Sequence, residues 1–382
     1  MADLDQVLTR ISQHKVNRRG FLYAAGLTAG GAALAACTPG GAATDAPGET
    51  AGAIEDSLFM YNWSGYVDPA NMEAFQKEFG VGTFTYDIYS NNEELIAKLQ
   101  AGASGYDIAC PTAEYVPGMV EEGFLKKLDL SRIPNQKHID PAFLGLAWDP
   151  TNEYQLPKDF GTTGILYREK LTKKPVTSWK ELYDLTLGEF SGKTVFVDSI
   201  GDVFVMPLKM LGKSLNSVEK ADLDEARKIL LDLAPHILAL DSDTYQVKLA
   251  SEEAALCLGW TGPLIDLRAD PATADTAYSV PSEGSLFWLD TWVMMADAPH
   301  PNAAYAWLDF IHRPDVQAAE TEYNGYATPN TEARKLVSQE LLDDPAIFPP
   351  EEVMPNLEGA EDTSGNTQRI DIWAEFKQSI GG

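Results

Sequence analysis

The sequence predicts an α/β protein in which parallel sheets are flanked by helices. From residue 56 onward, short apolar runs alternate with amphipathic stretches, as expected of strands that are joined by helical crossovers. Apolar residues make up 45% of the 382 residues, which is enough for a packed core and too little for a polytopic membrane protein. A chain of this length is expected to form two folding units or one large one.

The first alternating series predicts three strands and two helices. The strands are expected over residues 58–63, 83–89 and 106–110. The first helix begins at Asp68 and Pro69, an N-cap followed by a proline in the first turn, and it ends at Gly80. The second helix covers residues 93–100 and places Leu95, Ile96 and Leu99 on one face. The β-α-β-α-β order predicts a parallel sheet, and ligands bind such sheets beyond the carboxyl ends of the strands.

A second series begins near Gly161 and continues the same alternation. Strands are expected over residues 164–167, 194–197, 237–240, 255–260 and 292–295. Helices are expected over residues 179–185, 205–211, 223–233 and 303–311. The two series show no sequence repeat.

The first forty residues differ in composition from the rest of the chain. Four basic residues lie between positions 10 and 19, and an uncharged run of small and apolar residues follows, too short and too weakly apolar for a good membrane span. Residues 17–22 (NRRGFL) resemble the twin-arginine export motif, and residues 34–37 (LAAC) resemble a lipobox. We therefore expect residues 1–37 to be a twin-arginine lipoprotein signal, with Cys37 as the lipidation site. The alternative is a chance pair of arginines and a stray thiol.

This N-terminal segment also predicts where the protein resides. Residues 38–55 are expected to form a flexible linker between the lipid on Cys37 and the folded part. The protein is expected in the periplasm or at the cell surface, tethered to a membrane. The two cysteines beyond Cys37 are Cys110 and Cys257, each inside an apolar run, and they are expected to be buried free thiols, with a disulfide as the alternative. No cofactor and no metal site are expected.

The charge and the motif content exclude several functional classes. The formal net charge of −28 argues against a nucleic-acid partner, and it favours either approach by cations or simple solubility. The five histidines are scattered, and the sequence contains no HExxH, no GxSxG and no P-loop. We therefore do not expect an enzyme.

Aromatic residues beside carboxylates form the clearest candidate site. Trp63 and Tyr66 follow the first strand, and Trp288 and Asp290 are two residues apart, so on a strand they would face the same side. Rings and carboxylates together suit an alkylammonium ligand, since each cation–π contact contributes ~0.5–2 kcal/mol and carboxylates accept charged hydrogen bonds. The alternative for any single tryptophan is packing in the core or at a rim.

Six segments, taken in order, resemble the periplasmic spermidine/putrescine-binding proteins of ABC transporters. They are residues 62–67, 90–91, 106–108, 178–179, 287–290 and 325–330, so the resemblance extends from residue 57 to about residue 345. It implies two α/β lobes in the type II periplasmic-binding-protein fold, with the ligand in the cleft between them. Crossings are implied near Gly161, Trp288 and Pro329. Lobe 1 would comprise residues 56–161 and 289–329, and lobe 2 residues 162–288 and 330–382.

The resemblance also implies the ligand-binding residues. They are Trp63, Ser64, Tyr66, Thr112, Glu114, Ser199, Asp202, Trp260, Trp288, Asp290 and Tyr326. The chain departs from the family pattern at several of these positions. Glu114 replaces an aromatic residue, Ser199 replaces an acid, and Asp202 stands where a spermidine binder has glutamate, while Asp198 is expected to point away. A family glutamine has no clear counterpart in residues 357–361.

These departures leave the ligand more open than the fold. The expected function is capture of a polyamine by a monomer that delivers it to an ABC permease in the membrane. Another organic cation or an amino-acid-like solute is the alternative ligand. The alternative functions are an enzyme on the same scaffold, a ligand-sensing lipoprotein without transport, and a carrier of ferric ion or another metal.

Overall fold

The structure is a computed structural model that describes residues 52–146, 149–363 and 365–380. The predicted signal, Cys37 and the predicted linker up to residue 51 lie outside the described residues. Within the described part of the chain, no helix combines the length and the apolar character that a membrane span requires.

Strands and helices alternate along most of the chain. The strands are β1 (Ser57–Trp63), β2 (Thr83–Tyr89), β3 (Ile108–Ala109), β4 (Leu156–Thr162), β5 (Gly164–Arg168), β6 (Thr194–Phe196), β7 (Ile237–Leu240), β8 (Leu256–Gly259), β9 (Thr276–Ser279), β10 (Ser285–Met294) and β11 (Leu357–Gly359). The helices are α1 (Pro69–Phe79), α2 (Asn92–Gln100), α3 (Val116–Glu121), α4 (Glu169–Thr172), α5 (Trp179–Leu187), α6 (Ile200–Met210), α7 (Lys220–Leu233), α8 (Tyr245–Ala250), α9 (Leu264–Ala269), α10 (Pro301–Ile311), α11 (Pro314–Asn324), α12 (Gln339–Leu342) and α13 (Thr367–Ser379).

The local signals that predict the first helices are present in the structure. The Asp68 side chain accepts a hydrogen bond from the Ala70 amide at 2.8 Å and caps α1. Gly80 ends that helix with φ of 71°, in the left-handed region that favours glycine. Asn91 caps α2 through the amide of Glu94 at 2.8 Å.

The first sheet forms lobe 1, with the strand order β11-β10-β3-β1-β2 and β4 paired to β10. β1 is parallel to both β2 and β3, which confirms the parallel arrangement predicted from the β-α-β-α-β order. The neighbours Met60 and Tyr61 on β1 belong to different apolar clusters. Because adjacent residues of a strand point to opposite faces, the sheet is covered on both sides.

The second sheet forms lobe 2, with the strand order β7-β6-β8-β5-β9. β6 is parallel to β7 and β8, whereas β5 is antiparallel to β8 and β9. The fully buried side chains of Trp179, Phe196 and Leu230 lie in the large apolar core around this sheet. Each lobe therefore has its own sheet and its own core.

The strands β4 and β10 pair antiparallel and join the two lobes. Gly161 and Trp288, two of the expected crossing points, are register partners in this pair. The side chains of β10 alternate between the cores, since Trp288 packs in the lobe 2 cluster and Leu289 in the lobe 1 cluster. Nearby, Phe160 forms an isolated bridge with Ala327, just before Pro329.

Some elements differ from the sequence prediction. β10 begins at Ser285 rather than at residue 292, and all ten of its residues are buried, so no polar alternation marks it as a strand. α6 begins at Ile200 rather than at residue 205, because Ser199 caps it five residues earlier than expected. The elements that the sequence analysis does not predict are the strands β4, β9 and β11 and the helices α3, α4, α8, α9, α11, α12 and α13.

The segment after residue 330 divides between the lobes, unlike the predicted boundary. Ile347, Met354 and Leu357 pack in the lobe 1 core, and β11 extends the lobe 1 sheet beside β10. α13 returns to lobe 2, where Ile372 and Phe376 enter the core, and Ala346 also packs against that core. The apolar residues of 347–357 thus complete lobe 1 before the chain crosses back.

The thiols of Cys110 and Cys257 are free and fully buried, which confirms the expectation and excludes a bond between them. Cys110 lies in the lobe 1 core and Cys257 in the lobe 2 core. Burial raises the pKa of both thiols well above the usual range. Neither thiol is therefore suited to act as a nucleophile at neutral pH.

Candidate ligand-binding site

The cleft between the lobes is lined by all eleven side chains that the sequence analysis selects as ligand-binding, from Trp63 to Tyr326. Trp63 ends β1, Thr112 follows β3 and Trp260 follows β8, so strand ends from both lobes open into one space. Trp288 and Asp290 come from the shared strand β10. The structure brings these residues together, while their role in binding a ligand stays a prediction.

Asp290 is buried in the wall of this cleft with a hydroxyl partner. The Tyr66 hydroxyl donates a hydrogen bond to its Oδ2 at 2.7 Å, from the turn that Gly65 forms after β1 with φ of 62°. Burial raises the pKa of Asp290 to about 7, against the opposing influence of hydrogen bonds from Tyr66 and Thr112 and of the Lys158 charge. At neutral pH this carboxyl is thus poised between its charged and neutral forms.

Asp202, in contrast, is surrounded by protein donors. Its Oδ1 accepts hydrogen bonds from Trp260 Nε1 at 2.9 Å and from the Thr163 hydroxyl, and its Oδ2 accepts one from the Ser199 hydroxyl at 2.6 Å. Burial is the largest influence on this carboxyl and raises its pKa, while the three donors counter that effect. Both oxygens are therefore already engaged, and Asp202 fixes the orientation of the Trp260 ring.

The aromatic side chains form the walls of the cleft. Trp63 and Trp260, from opposite lobes, lie edge to face with ring centroids 6.0 Å apart, and Trp63 Nε1 donates to the Cys110 carbonyl at 2.9 Å. Trp288 and Tyr326 are also edge to face, at 5.1 Å. Such rings present faces to the methylene and ammonium groups of an alkylamine.

Two glycines make room for these rings. A Cβ at Gly161 would lie 2.4 Å from the Trp288 ring, and a Cβ at Gly262 would lie 2.6 Å from the Tyr326 hydroxyl oxygen. Since real Cβ atoms do not approach this closely, any larger residue at either position would displace the ring beside it. The close packing against Trp288 therefore explains why a glycine occupies position 161.

Glu114 is half-buried in the cleft wall and has few partners. Its own backbone amide opposes the effect of burial, and no other described residue donates a hydrogen bond to the carboxylate. Burial raises the pKa of Glu114 well above its usual range, and the charges of Asp290, Asp202 and Asp362 add to the rise. A positive charge brought close to this carboxylate would relieve both effects.

The expectation for Asp198 agrees with the structure. Its carboxylate pairs with Lys377 Nζ on α13 at 2.8 Å and does not line the cleft, whereas its neighbour Ser199 does. The replacement of a family acid by Ser199 therefore removes a carboxylate from the cleft. That serine instead caps α6 and bonds Asp202.

Several lining residues are not among the eleven selected from the sequence. Asn92 holds Thr112 through two hydrogen bonds of 2.9 and 3.1 Å, and Asp243 accepts one from the Ser90 hydroxyl of the opposite lobe at 2.6 Å. Asp266 and Gln246 also line the cleft. Asn92 lies just after β2, where the strand-end rule applies from the sequence, and Asp243 follows β7, where the same rule would have found it.

The lining is strongly biased in charge. Five carboxylates face the cleft, from Glu114, Asp202, Asp243, Asp266 and Asp290. None of the lining residues in the described part of the chain is a lysine, an arginine or a histidine. The cleft therefore offers negative charge, hydroxyl groups and aromatic faces, and no basic side chain for an anionic group of a ligand.

Comparisons with known proteins agree with this architecture. Residues 70–349 match the model of the family described as bacterial extracellular solute-binding protein. The chain is 33% identical to the spermidine/putrescine-binding periplasmic protein of Escherichia coli over 327 residues, covering 85% of this chain and 91% of that protein. It is 33% identical to the putrescine/agmatine-binding protein of Pseudomonas aeruginosa over 347 residues, covering 86% and 94% of the two chains.

A solved structure gives the same result for the fold. A putative spermidine/putrescine ABC transporter protein from Listeria monocytogenes matches with a TM-score of 0.78 at 30% identity, covering 85% of this chain and 99% of that one. The two lobes thus have the type II periplasmic-binding-protein arrangement predicted from the sequence, with the cleft between them.

Proposed function

The chain belongs to the bacterial extracellular solute-binding protein family, and from this premise we propose that it captures a polyamine of the putrescine or spermidine kind for an ABC uptake transporter. The observation that carries the proposal is the charge of the cleft, which presents five carboxylates and no basic side chain among its described lining residues. A flexible dication can place ammonium groups beside these carboxylates and methylene groups against the rings.

The same observation separates a polyamine from an amino-acid-like solute. An amino acid carries a carboxylate, and such ligands are commonly held by an arginine that binds both oxygens. Here the carboxylate of the ligand would enter a negatively charged space and lose its hydration without gaining a cationic partner. The named relatives also bind polyamines or agmatine, according to their descriptions, and these ligands are cationic.

The predicted residues divide by role. Asp290 binds one ammonium group, and Glu114 binds a second. Trp63, Trp260, Trp288 and Tyr326 enclose the alkyl chain, and Ser64, Tyr66, Thr112 and Ser199 supply hydroxyl groups to the ligand or to its carboxylate partners. Asp202 contributes negative charge and orients Trp260, to which it is bonded at 2.9 Å.

Binding and closure are coupled in this proposal. Trp63 and Ser90 of lobe 1 contact Trp260 and Asp243 of lobe 2 in the present structure, so the lobes meet across the cleft. A ligand that contacts both lobes favours the closed form through contacts that the open form lacks. The closed protein then delivers its ligand to the permease, without chemical change of the ligand.

The location of the protein is part of the proposal. We propose export through the twin-arginine signal, lipidation at Cys37, and a monomer tethered to the membrane on the periplasmic side or at the cell surface. Cys37→Ser should release the mature protein from the membrane fraction and abolish incorporation of labelled fatty acid. Replacement of Arg18 and Arg19 by lysine should leave the precursor unexported. If the Cys37 variant stays in the membrane fraction, lipidation at Cys37 is contradicted. If the arginine variant is still exported, export through the twin-arginine signal is contradicted.

Isothermal titration calorimetry on residues 54–382 tests the ligand. The panel comprises putrescine, spermidine, spermine, amino acids and betaines. Micromolar or tighter binding of a polyamine supports the proposal. If heat is observed only with another organic cation, the proposed transport role stands and the proposed ligand is replaced by that cation. No heat with any member rejects capture of these solutes and leaves a sensing role.

A further inference from the structure

Lys158 is a buried lysine directly beneath the candidate site. It lies on β4, its side chain is fully buried, and its ammonium is 3.6 Å from the centroid of the Tyr66 ring. It forms an ion pair with the adjacent Asp159. Lysines are almost never fully buried unless they are paired, so the position of this charge requires an explanation.

The ion pair is part of a larger polar network inside lobe 1. Asp159 also accepts hydrogen bonds from Gln317 at 3.1 Å and from Asn324 at 2.8 Å. Glu320 accepts from the Asp68 amide at 3.1 Å, while its Oε2 has no hydrogen-bond partner among the described residues. Burial alone would lower the pKa of Lys158, but the carboxylates of Asp159 and Glu320 reverse that effect and raise it. Lys158 therefore remains charged.

Stability alone explains such a network poorly. Removing two or three charges from water is unfavourable, and a well-packed apolar cluster of the same volume is often at least as stable. The position of the network is more informative, because the edge of the Tyr66 ring carries the hydroxyl that donates to Asp290 at 2.7 Å. One ring thus has the Lys158 charge at its face and the Asp290 carboxylate at its edge.

The charged and titratable groups around Asp290 come from several elements. They are Lys158 and Asp159 on β4, Tyr66 after β1, Tyr89 on β2, Cys110 and Glu114 after β3, and Tyr326 after α11. Lys158 is the cation in this group, and its charge favours the ionised form of Asp290, whereas Asp159 opposes ionisation.

We propose that Lys158 is a positioning residue of the ligand site, which holds Tyr66 against Asp290 and places a fixed positive charge behind that carboxylate. This inference rests on the proposed function, in that Asp290 receives a cationic ligand. It also assigns Tyr66 a different part from the other aromatic residues. One face of its ring is occupied by the protein's own ammonium, so Tyr66 acts through its hydroxyl and leaves the ligand to the remaining rings.

The test is the pH dependence of putrescine or spermidine binding to Lys158→Met, measured by calorimetry from pH 6 to pH 8.5. Loss of the fixed charge shifts ionisation of Asp290 to higher pH. A shift of about one unit from a pKa near 7 leaves roughly a tenth of the carboxyl ionised at pH 7 instead of half, so affinity falls roughly fivefold. The loss should nearly vanish at pH 8.5. Lys180→Met, an exposed lysine paired with Asp184 on α5, is the matched control and should bind as wild type.

Two results would overturn the inference. One is wild-type affinity of Lys158→Met at every pH, and the other is a loss by the same factor at every pH, which indicates structural damage alone. If Lys158→Met does not fold, Lys158→Gln, which keeps an N–H donor for Asp159, carries the same test.

A second measurement separates this inference from the proposed function. The carboxyl of Asp290 can be titrated by NMR in the ligand-free protein with labelled aspartate, and Asp290→Asn identifies its signal. The midpoint should be higher in Lys158→Met than in wild type. If wild type binds no polyamine but this midpoint moves, the proposed function fails and the role of Lys158 stands. An unmoved midpoint rejects the role of Lys158, whatever the ligand.

Discussion

Trp260 Nε1 donates a hydrogen bond of 2.9 Å to Asp202 Oδ1, so a predicted wall of the cleft is held by a predicted ligand-binding carboxylate. The same carboxylate accepts bonds from Thr163 and Ser199. Its oxygens are thus engaged before any ligand arrives. This arrangement gives Asp202 an indirect part in recognition, through the orientation of one ring and the negative charge behind it.

The first prediction concerns Asp202→Ala. The substitution leaves three donors without their acceptor, the buried Thr163 hydroxyl and the partly buried donors of Ser199 and Trp260. We therefore expect the free energy of unfolding to fall by roughly 2–3 kcal/mol and the Trp260 ring to loosen. Polyamine affinity should fall with it. Urea denaturation, tryptophan fluorescence and calorimetry measure the three effects. Asp184→Ala, on the exposed face of α5, should change neither stability nor affinity by much. Full stability in Asp202→Ala would show that these bonds contribute little.

The second prediction concerns Asp290→Asn. The change keeps the size of the side chain and removes the charge that we propose for an ammonium group. Affinity for the preferred polyamine should fall at least about tenfold, because a charged hydrogen bond becomes a neutral one. Asp198→Asn is the matched control, since that carboxylate lies beside the site but pairs with Lys377. Equal affinity of the Asp290 variant and wild type would reject the assignment.

The third prediction concerns Glu114→Gln, and its effects on stability and on binding have opposite signs. Burial and neighbouring carboxylates make the charged form of Glu114 costly in the empty cleft, so the neutral variant should unfold at a higher temperature at pH 7. Affinity for a diamine should fall about tenfold, since the second ammonium loses its charged partner. Glu121→Gln on the exposed surface of α3 is the control. A lower unfolding temperature in Glu114→Gln would contradict this account.

The fourth prediction concerns pH. The pKa of Asp290 is raised to about 7 in the folded protein, so the ligand-free protein holds a proton there that the unfolded chain releases near pH 4. The stability that this proton contributes is present at low pH and is lost as pH rises through about 7. An ammonium ligand requires the ionised form, so affinity should rise between pH 6 and pH 8.

The proton that leaves Asp290 when the ligand binds can be measured directly by calorimetry. Binding at pH 6.5 should liberate a proton, and the calorimetric heat should therefore differ between phosphate and Tris buffers. Asp290→Asn and Glu114→Gln should each remove part of that difference, because the pKa of both carboxyls is raised in the empty cleft and each is proposed to accept an ammonium group. The same heat in both buffers for the wild-type protein would mean that Asp290 is already ionised before binding.

Local sequence signals predicted much of lobe 1. The predicted strand over residues 83–89 has the same bounds as β2, and Asp68 and Gly80 mark the ends of α1 as predicted. Strand patterns and helix caps depend on neighbouring residues, so the sequence alone is enough to find them. β4 was missed because its buried charges, Lys158 and Asp159, suggest an exposed loop. Only the pairing with β10 and the contact with Tyr66 make that segment a buried strand.

For the candidate site as well, the sequence does not predict contacts that form only in the folded protein. The resemblance to a known family selected eleven residues that the structure brings into one cleft. It did not reveal that Asp202 is engaged by Trp260 and Thr163, because those contacts join a helix to strand ends that are distant in sequence. Nor did it identify Asp243, which meets Ser90 only when the lobes are assembled.

The strand β10 has a consequence for the rates of capture. Trp288 and Asp290 lie two residues apart on β10, one of the two strands that join the lobes, so we expect their relative position to change little when the cleft opens. An incoming ligand can meet this pair first, in a step that depends on ligand concentration. Trp63 and Trp260, from the two lobes, then enclose the ligand in a second step. The rate of this second step does not depend on ligand concentration. Changes at Asp290 should then alter the association rate, whereas changes at the lobe contacts should mainly alter how long the ligand stays bound.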